Sequence, residues 1–550
     1  MNFQNTIAME NNNNTITGDL TPDVPKVADS KAIGKKLADD LLERTYEGQK
    51  QGIYERPEYE ALDIFDDKYQ VVEAYKVVKL FKENGFMRIS RSGDDNLSII
   101  KTENKVLEPF NWRTDTLSFI CSLEKNEHKR PYIESMAVKY EQTILKCWKL
   151  LGGVPYDLNR DTKDSIYIPF KNCVAKVTAS GIEAVDYSSD EIKFFSKVES
   201  LNHEYIPFDI KDRETGIFEK FLIYAVIGRS DIDIKPISEG EREQINAFYS
   251  MVGYLISNFK DPTQSPAITL SDAGADDQMR NGGRGKSLLT KAISMVRKDK
   301  FRGGREFDPS YRHNFSDLEP YHDLYILDDV PAGFNYDSLY TNISGDITAE
   351  RKGTSPVTIP FADAPKFVIT TNWAVRYDKE ATSTNRRFSE YKFSDFWNIN
   401  NTPDQFFGCT FFYDWGVIEW ERFFQFLIYC SQYYLKNGIQ KIEYDKDSDN
   451  YRAIFHNDAK LEMFDSVFQY MLSGTEFSVM DFVKKYDELY PYGKVFNHIN
   501  TKNHIDVYIE YHKLNIEYKQ RSRKWHLTEN NSFEVEHDNN DDDETSQLPF

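Results

Sequence analysis

The sequence predicts an α/β fold with a nucleotide-binding core at residues 261–400. Three observations support this prediction. Short apolar stretches alternate with glycine-rich or charged connections from residue 267 to residue 396, as they do in α/β proteins. A glycine-rich turn at residues 282–285 runs directly into an apolar helix. The apolar strand at residues 324–327 ends in two acids, Asp328 and Asp329.

The overall composition restricts the class of protein. A chain of 550 residues is expected to form about three or four domains of roughly 150 residues each. Its 68 Lys and Arg against 89 Asp and Glu give a net charge of −21, which excludes a protein that coats a polyanion through bulk positive charge. The five cysteines lack zinc or disulfide spacing, and no apolar run is long enough for a bilayer. We therefore expect a cytoplasmic protein without a membrane partner.

Three segments precede the core. Residues 1–50 are rich in Asn, Thr and Asp without periodicity, which predicts a disordered arm. Residues 51–130 show one helical stretch and short strands, which predicts a small α+β module. Residues 131–260 predict a helical and β-rich domain that ends in an amphipathic helix beginning near Glu241.

The strongest motif is MRNGGRGKSLL at residues 279–289. Glycines let successive backbone N–H groups converge on phosphate oxygens at a helix N-terminus. Lys286 would reach the β- and γ-phosphates of ATP, and the Ser287 hydroxyl would bind Mg²⁺. Arg280 departs from the pattern G-x-x-x-x-G-K-[ST], so a surface glycine turn with a chance lysine is the alternative. The residues predicted to hold the nucleotide are Asn281, Gly282, Gly283, Arg284, Gly285, Lys286, Ser287 and Leu288.

Polar residues at two later strand ends predict the remaining chemistry. Asp328 would hold Mg²⁺ and Asp329 would act as general base toward the attacking water, although an acidic turn is the alternative. The strand at residues 366–370 leads to Asn372, whose amide would position that water. Arg386 and Arg387 could supply an arginine finger to a neighbouring subunit, or could pair with surface carboxylates.

With these motifs in this order, residues 267–396 resemble the core of superfamily 3 helicases, in particular the phage and poxvirus primase-helicases. The most specific match is ISGDITAERKGTSPVTIPF at residues 343–361. In that family this region forms a hairpin that grips single-stranded DNA in the channel of a ring. The resemblance implies DNA contacts at Arg351 and Lys352, an AAA+-like core with a mainly parallel sheet, and a homo-hexamer. An exposed charged turn is the alternative for the hairpin.

Three segments follow the core. Residues 401–455 resemble the helical extension of phage members. Residues 456–529 show helix, turn, helix and two strands, which is the order of a winged helix. This domain could contact DNA or could have a purely structural role. Residues 530–550 predict an acidic disordered tail, which either solubilises the chain or docks replication proteins such as a separate primase. The predicted DNA-binding cations of the winged-helix-like domain are Lys502, Lys513, Arg521, Arg523 and Lys524.

Together these features predict an ATP-driven, Mg²⁺-dependent hexameric DNA helicase or translocase that acts on single-stranded and fork DNA in the replication of a large phage or a virus. Two alternatives stay open. One is an AAA+-like remodelling or packaging ATPase with a protein substrate. The other is a DNA-binding scaffold whose nucleotide site is inactive, which the departure at Arg280 would explain.

Overall fold

The structure is a computed structural model of the full chain. It describes residues 64–66, 71–90, 98–155, 157–273, 282–308, 311–350, 352, 356–375, 386–455, 457–492 and 495–527. The predicted arm at residues 1–50 and the predicted tail at residues 530–550 lie outside these ranges.

Fourteen helices are numbered α1 to α14 in chain order within the described ranges. They are Ala74–Glu83, Thr116–Leu123, Arg130–Lys139, Glu141–Cys147, Ile217–Ile227, Glu239–Ile256, Lys286–Ser294, Tyr340–Ser344, Pro403–Phe407, Val417–Asn437, Lys446–Ile454, Asp458–Leu472, Val479–Leu489 and Thr501–Tyr511.

Twenty strands are numbered β1 to β20 in the same way. They are Phe65–Asp66, Val71–Val72, Phe86–Ser90, Ser98–Glu103, Val106–Phe110, Gly153–Pro155, Ser165–Pro169, Val174–Thr178, Ile182–Val185, Phe195–Ser196, Ala267–Asp272, Asp299–Gly303, Leu324–Asp328, Ile347–Ala349, Val357–Ile359, Lys366–Thr370, Phe388–Phe393, Glu476–Ser478, Ile516–Lys519 and Lys524–Leu527.

A five-stranded sheet in the order β12-β13-β16-β11-β17 lies at the centre of the predicted core. All four neighbouring pairs are parallel. The carboxyl ends of the strands therefore share one edge, where ligands of open parallel sheets usually bind. The predicted α/β class and the mainly parallel sheet are confirmed.

Both faces of this sheet are covered. Successive side chains of a strand point to opposite faces, so Leu324 and Ile326 of β13 join the apolar core formed with α5, α6, α7 and α10. Tyr325 and Leu327 join a second core on the other face. All five residues of β16 are buried. Burial on two faces explains why these strands are continuous apolar runs in the sequence.

The predicted amphipathic helix near Glu241 is α6. It begins two residues earlier than expected, because Ser238 and Glu241 form a reciprocal capping box at its N-terminus. It packs against α10, the longest helix of the predicted extension.

The parts that flank the core have their own sheets. Strands on both sides of residue 130 join in one sheet, in the order β10-β5-β4-β3-β6. Strands β7, β8 and β9 form an antiparallel sheet ahead of the core. At the C-terminal end, α12, β18, α13, α14, β19 and β20 follow one another, and the strands pair in the order β18-β20-β19. The winged-helix assignment and the domain boundaries stay predictions.

The predicted DNA-gripping segment contains an antiparallel hairpin. Its strands β14 and β15 pair from Ile347 with Ile359 to Ala349 with Val357. Lys352 is exposed between them, whereas Arg351 lies outside the described residues. None of the helices in the described ranges combines the length and the apolarity that crossing a membrane requires.

Gly253 lies where α6 contacts α10. A Cβ added there would overlap the carbonyl oxygen of Cys430 and lie 2.6 Å from the Cβ of Tyr434. Because a backbone oxygen cannot rotate away, we expect Gly253→Ala to lower the free energy of unfolding by about 1–3 kcal/mol. Gly240→Ala is the matched control, since a Cβ at Gly240, in the first turn of the same helix, meets nothing within 4 Å. Thermal and urea unfolding of both variants test this, and equal stability of the two would contradict it.

Candidate functional site

The carboxyl edge of the five-stranded sheet brings several polar residues together. Asp272 ends β11, Asp328 ends β13, and Thr370 ends β16, two residues before Asn372. Since β16 pairs with both β11 and β13, its end lies between the other two. The helix α7 begins at this edge, after the glycine-rich loop.

The loop adopts a backbone that favours glycine. Gly282, Gly283 and Gly285 have φ angles of 65°, 79° and 98°, in the left-handed region. Gly285 is also the N-cap of α7, where a Cβ would overlap the ring of Phe221. A side chain at position 285 is therefore excluded both by the backbone angle and by the neighbouring ring.

The start of α7 presents amides that no hydrogen bond within the helix uses. Its first α-helical hydrogen bond runs from the amide of Leu289 to the carbonyl of Gly285, at 3.0 Å. The amides of Lys286, Ser287 and Leu288 precede that bond and so belong to the free N-terminal turn. Converging amides at a positive helix end suit a phosphate group.

Lys286 lies in the middle of the site. Its buried Nζ donates a hydrogen bond to Oδ1 of Asn372 at 2.8 Å and forms an ion pair with Asp272. Burial lowers the pKa of the Lys286 ammonium, and the Asp272 carboxylate partly offsets that effect. The lysine is thus already directed toward the strand ends.

Two oxygens are placed for a shared cation. Ser287 Oγ lies 3.4 Å from Oδ1 of Asp328, and the same carboxylate oxygen accepts a hydrogen bond from Thr370 Oγ1 at 2.7 Å. Neighbouring ligands of an octahedral Mg²⁺ ion are about 3 Å apart, because each lies about 2.0–2.1 Å from the metal. A hydroxyl and a carboxylate are oxygen ligands of the kind that Mg²⁺ takes, so this pair fits it.

Asp329 is held from both sides. Its Oδ1 accepts a hydrogen bond from Nδ2 of Asn372 at 3.1 Å, and its Oδ2 lies 2.8 Å from Nη2 of Arg305. Its backbone has φ 55°, which Asp tolerates better than most residues, and its amide donates to Thr370 Oγ1 at 2.8 Å. The Asn372 amide therefore bridges Lys286 and Asp329.

The side chain of Arg284 has a structural role, unlike the other residues that were predicted to hold the nucleotide. Its guanidinium is buried, lies 3.6 Å from Asp272, and donates to the carbonyl of Ala273 at 2.6 Å. A third contact reaches the carbonyl of Phe393 at 3.4 Å. The side chain ties the loop to β11 and β17, which leaves only its backbone for a ligand. Asn281 lies outside the described residues.

Arg386 and Arg387 directly precede β17, at the amino edge of the sheet. Arg386 is exposed, and Arg387 Nε donates to Ser344 Oγ at 2.9 Å while its guanidinium lies 4.8 Å from the centre of the Tyr340 ring. The six residues of β17 rise about 3.3 Å each, so roughly 17 Å separates this pair from the carboxyl edge. The structure does not bring these arginines to the site of their own chain.

The predicted DNA-binding cations of the C-terminal part divide into two groups. Lys502 pairs with Asp506 at 2.5 Å, and Lys524 pairs with Glu476. The other three are exposed on turns and the β19–β20 hairpin, and they are Lys513, Arg521 and Arg523.

Three residues of the site were missed by the sequence analysis. Asp272 could have been found as the acid that closes the strand before the glycine-rich loop. Thr370 could have been found as the polar end of an apolar strand. Arg305 carries no such signal, because it lies in the turn after β12, and that strand is charged and only half-buried and so lacks the apolar pattern of β13 and β16.

No protein-family model and no curated protein matches the chain. Among solved structures, it is similar to an A-form apo structure of the NrS-1 C-terminal region, at 12% identity over 78% of this chain and 85% of that one, with a TM-score of 0.33. A second apo structure of that region, residues 305–718, has the same values. A third, again an A form, is 11% identical over 83% of this chain and 99% of that one, with a TM-score of 0.30.

Proposed function

We propose that this protein is an ATP-driven, Mg²⁺-dependent motor on DNA: a hexameric helicase or translocase with an AAA+-like core, serving phage or viral replication. One observation carries the proposal. A single network of contacts connects Lys286 of the glycine-rich loop with Asn372 and Asp329 at two strand ends, and the Ser287 hydroxyl faces Asp328 beside it. Residues from three separate elements thus meet at one edge of the sheet, which supports a role in nucleotide hydrolysis.

Each residue of the network has a role in this proposal. The loop amides and Lys286 bind the phosphates, and Ser287 and Asp328 hold the cation. The bound Mg²⁺ neutralises charge that develops on the phosphate oxygens. Asp329 accepts the proton of the attacking water, and Asn372 orients that water from the other side.

Asp329 needs a fixed orientation for this task. Its bonds to Asn372 and Arg305 hold the carboxylate at the sheet edge, within reach of a group bound at the loop. The Arg305 cation also attracts negative charge to the same place. Arg305 and Asp329 together therefore support two tasks, which are the binding of phosphate and the positioning of the Asp329 carboxylate as general base.

The location of Arg386 and Arg387 supports a ring. They lie at the amino edge, so they cannot serve the nucleotide site at the carboxyl edge of the same sheet. Head-to-tail contacts between identical subunits join two different surfaces and can close into a ring, so these arginines would act as fingers if the amino edge of one copy meets the site of the next. Which of the two arginines reaches the phosphate stays open.

The DNA-binding part of the proposal rests on exposed cations. Lys352 is exposed between β14 and β15, and three more exposed cations lie in the C-terminal part. Cations on a hairpin hold a nucleic acid backbone without reading its sequence. A remodelling ATPase with a protein substrate would need no such contacts.

We expect single-stranded DNA to raise the rate of ATP hydrolysis by the wild-type chain. Replacing Arg351 and Lys352 together by alanine should remove that stimulation and DNA unwinding while basal hydrolysis persists. The measurements are phosphate release with and without oligo(dT) and strand separation of a forked duplex. Thr348→Ala, at an exposed and uncharged residue of β14 in the same hairpin, is the control. Hydrolysis that is indifferent to DNA in the wild type would contradict the motor.

A further inference from the structure

A cavity of about 340 Å³ lies between the catalytic edge of the sheet and the C-terminal part of the chain. One wall comes from the loops after β13 and β16 and includes Phe334, Tyr336 and Trp373. The opposite wall comes from α11, α12 and α14 and includes Lys460 and Asn503. The volume lies within the range of about 300–1,000 Å³ that is common for small-ligand sites.

The core side of the cavity is aromatic, and two of its rings are held by packing. The rings of Phe334 and Tyr336 pack edge to face at 5.2 Å, and Tyr336 packs on Phe388 at 5.4 Å. The amide of Trp373 donates to Thr371 Oγ1 at 3.1 Å. Flat aromatic side chains that are held by packing offer stacking surfaces for planar bases.

The opposite side supplies a cation and an amide. Lys460 Nζ donates to the carbonyl of Ile454 at 3.0 Å and lies 5.8 Å from the centre of the Phe496 ring, and among the side chains that the structure describes no carboxylate lies within ion-pair distance of it. Burial lowers the pKa of this ammonium. A half-buried cation without a counter-charge favours an anionic ligand. The Asn500 amide is used in holding the turn before α14, through Val495 and Asn497, which leaves Asn503 for a ligand.

We propose that this cavity binds one nucleotide unit, with its base stacked against Trp373 and its phosphate at Lys460. The unit comes either from a single strand or from a free nucleotide, since both present the same base and phosphate. The inference extends the proposed function, because the cavity adjoins the residues assigned to hydrolysis.

The unit is distinct from the ATP that is hydrolysed. Asp329 and Asn372 mark the γ-phosphate end of that ATP, so its own base lies at the far end, away from the cavity. The two sites share backbone, because Trp373 follows Asn372 and Thr371 Oγ1 donates to the carbonyl of Val330 at 3.1 Å. A ligand bound in the cavity would thus affect the strand ends that carry Asp329 and Asn372.

The test is direct binding by the full chain carrying Lys286→Ala, so that neither hydrolysis nor the phosphate loop contributes. The probes are labelled oligo(dT) and, separately, a fluorescent ATP analogue, each followed by anisotropy. We expect Trp373→Ala to lower the affinity for one of the two probes by about 5- to 150-fold, and Trp373→Phe to retain most of that affinity. Lys460→Met should lower the affinity for the same probe. Tyr492→Ala is the control and should not lower it, because this side chain is 99% exposed and lies outside the cavity.

The probe that loses affinity identifies the source of the unit. A loss for oligo(dT) assigns the cavity to a single strand, and a loss for the analogue assigns it to a free nucleotide. Melting temperatures of the variants show whether they fold. Unchanged affinity for both probes in folded Trp373→Ala and Lys460→Met, or no binding of either probe to a folded parent, would overturn the inference. If the wild-type chain does not hydrolyse ATP, the proposed function is wrong, but the inference about the cavity is unaffected because this test measures binding only.

Discussion

Replacement of Lys286 by alanine is expected to reduce ATP hydrolysis by at least about 10²-fold, close to background. The lysine is the side-chain cation of the described loop that reaches Asn372, whereas the Arg284 side chain is tied to Asp272 and to backbone carbonyls. Removing one preorganised group that stabilises developing charge costs about 10²–10³ in kcat. Phosphate release at saturating ATP and Mg²⁺ measures this effect.

The interpretation requires a check of folding. Lys286→Ala leaves the buried Asp272 with only Arg284 at 3.6 Å, and removing one partner of a buried ion pair costs about 3–5 kcal/mol when nothing replaces it. Ser287→Ala is the second variant, because its side chain is exposed and its loss should impair hydrolysis without affecting stability. Lys291→Ala, on the next turn of α7, is the control and should hydrolyse normally. A Lys286→Ala variant that melts like the wild type and keeps its activity would disprove the assigned role.

Replacement of both Arg386 and Arg387 by alanine is expected to lower ATP hydrolysis by about 10³-fold or more, while ATP binding remains. An arginine finger stabilises charge in the transition state and contributes about 10³–10⁵ in kcat. The two side chains lie at the amino edge, outside the site of their own chain, so ground-state binding there should not change. Single variants show which arginine acts, and Arg452→Ala, at an exposed arginine of α11, is the control.

Mixing of two inactive variants shows whether the arginines act on the nucleotide of a neighbouring subunit or affect hydrolysis indirectly. The Lys286→Ala chain has intact arginines, and the double arginine variant has an intact phosphate loop. If the arginines act on a neighbour, subunit exchange creates interfaces with one complete site, and hydrolysis should partly return. Activity that stays at background after exchange, or a double variant that no longer binds ATP, would argue against a finger supplied by the neighbouring chain.

The elements of the core were largely predictable, because their signals are local. The strands β13 and β16 are buried on both faces, so they appear as unbroken apolar runs that end in a polar residue. The capping box at Ser238 and Glu241 lies within four residues of sequence, as does the glycine pattern that requires positive φ at Gly285. Such features depend on neighbours in the chain and hardly on the rest of the fold.

The contacts of the site were predictable only in part. That Lys286, Ser287, Asp328, Asp329 and Asn372 would share one place followed from the expectation of parallel strands with a common carboxyl edge. The partners of these residues did not follow. Asp272 meets Lys286, and Arg305 meets Asp329, only because β11 and β12 occupy particular positions in the sheet order.

The sequence by itself therefore determined the α/β class, the glycine-rich loop and the acids at the strand ends, since each depends on apolar periodicity and on backbone angles over a few residues. The tertiary structure alone decided three further points. It placed Arg386 and Arg387 at the opposite edge from the loop, paired Lys286 with a buried carboxylate, and formed a cavity between Trp373 and Lys460. Each of these depends on strand order and on packing between segments far apart in the chain, where the free energy comes from contacts that no local pattern encodes.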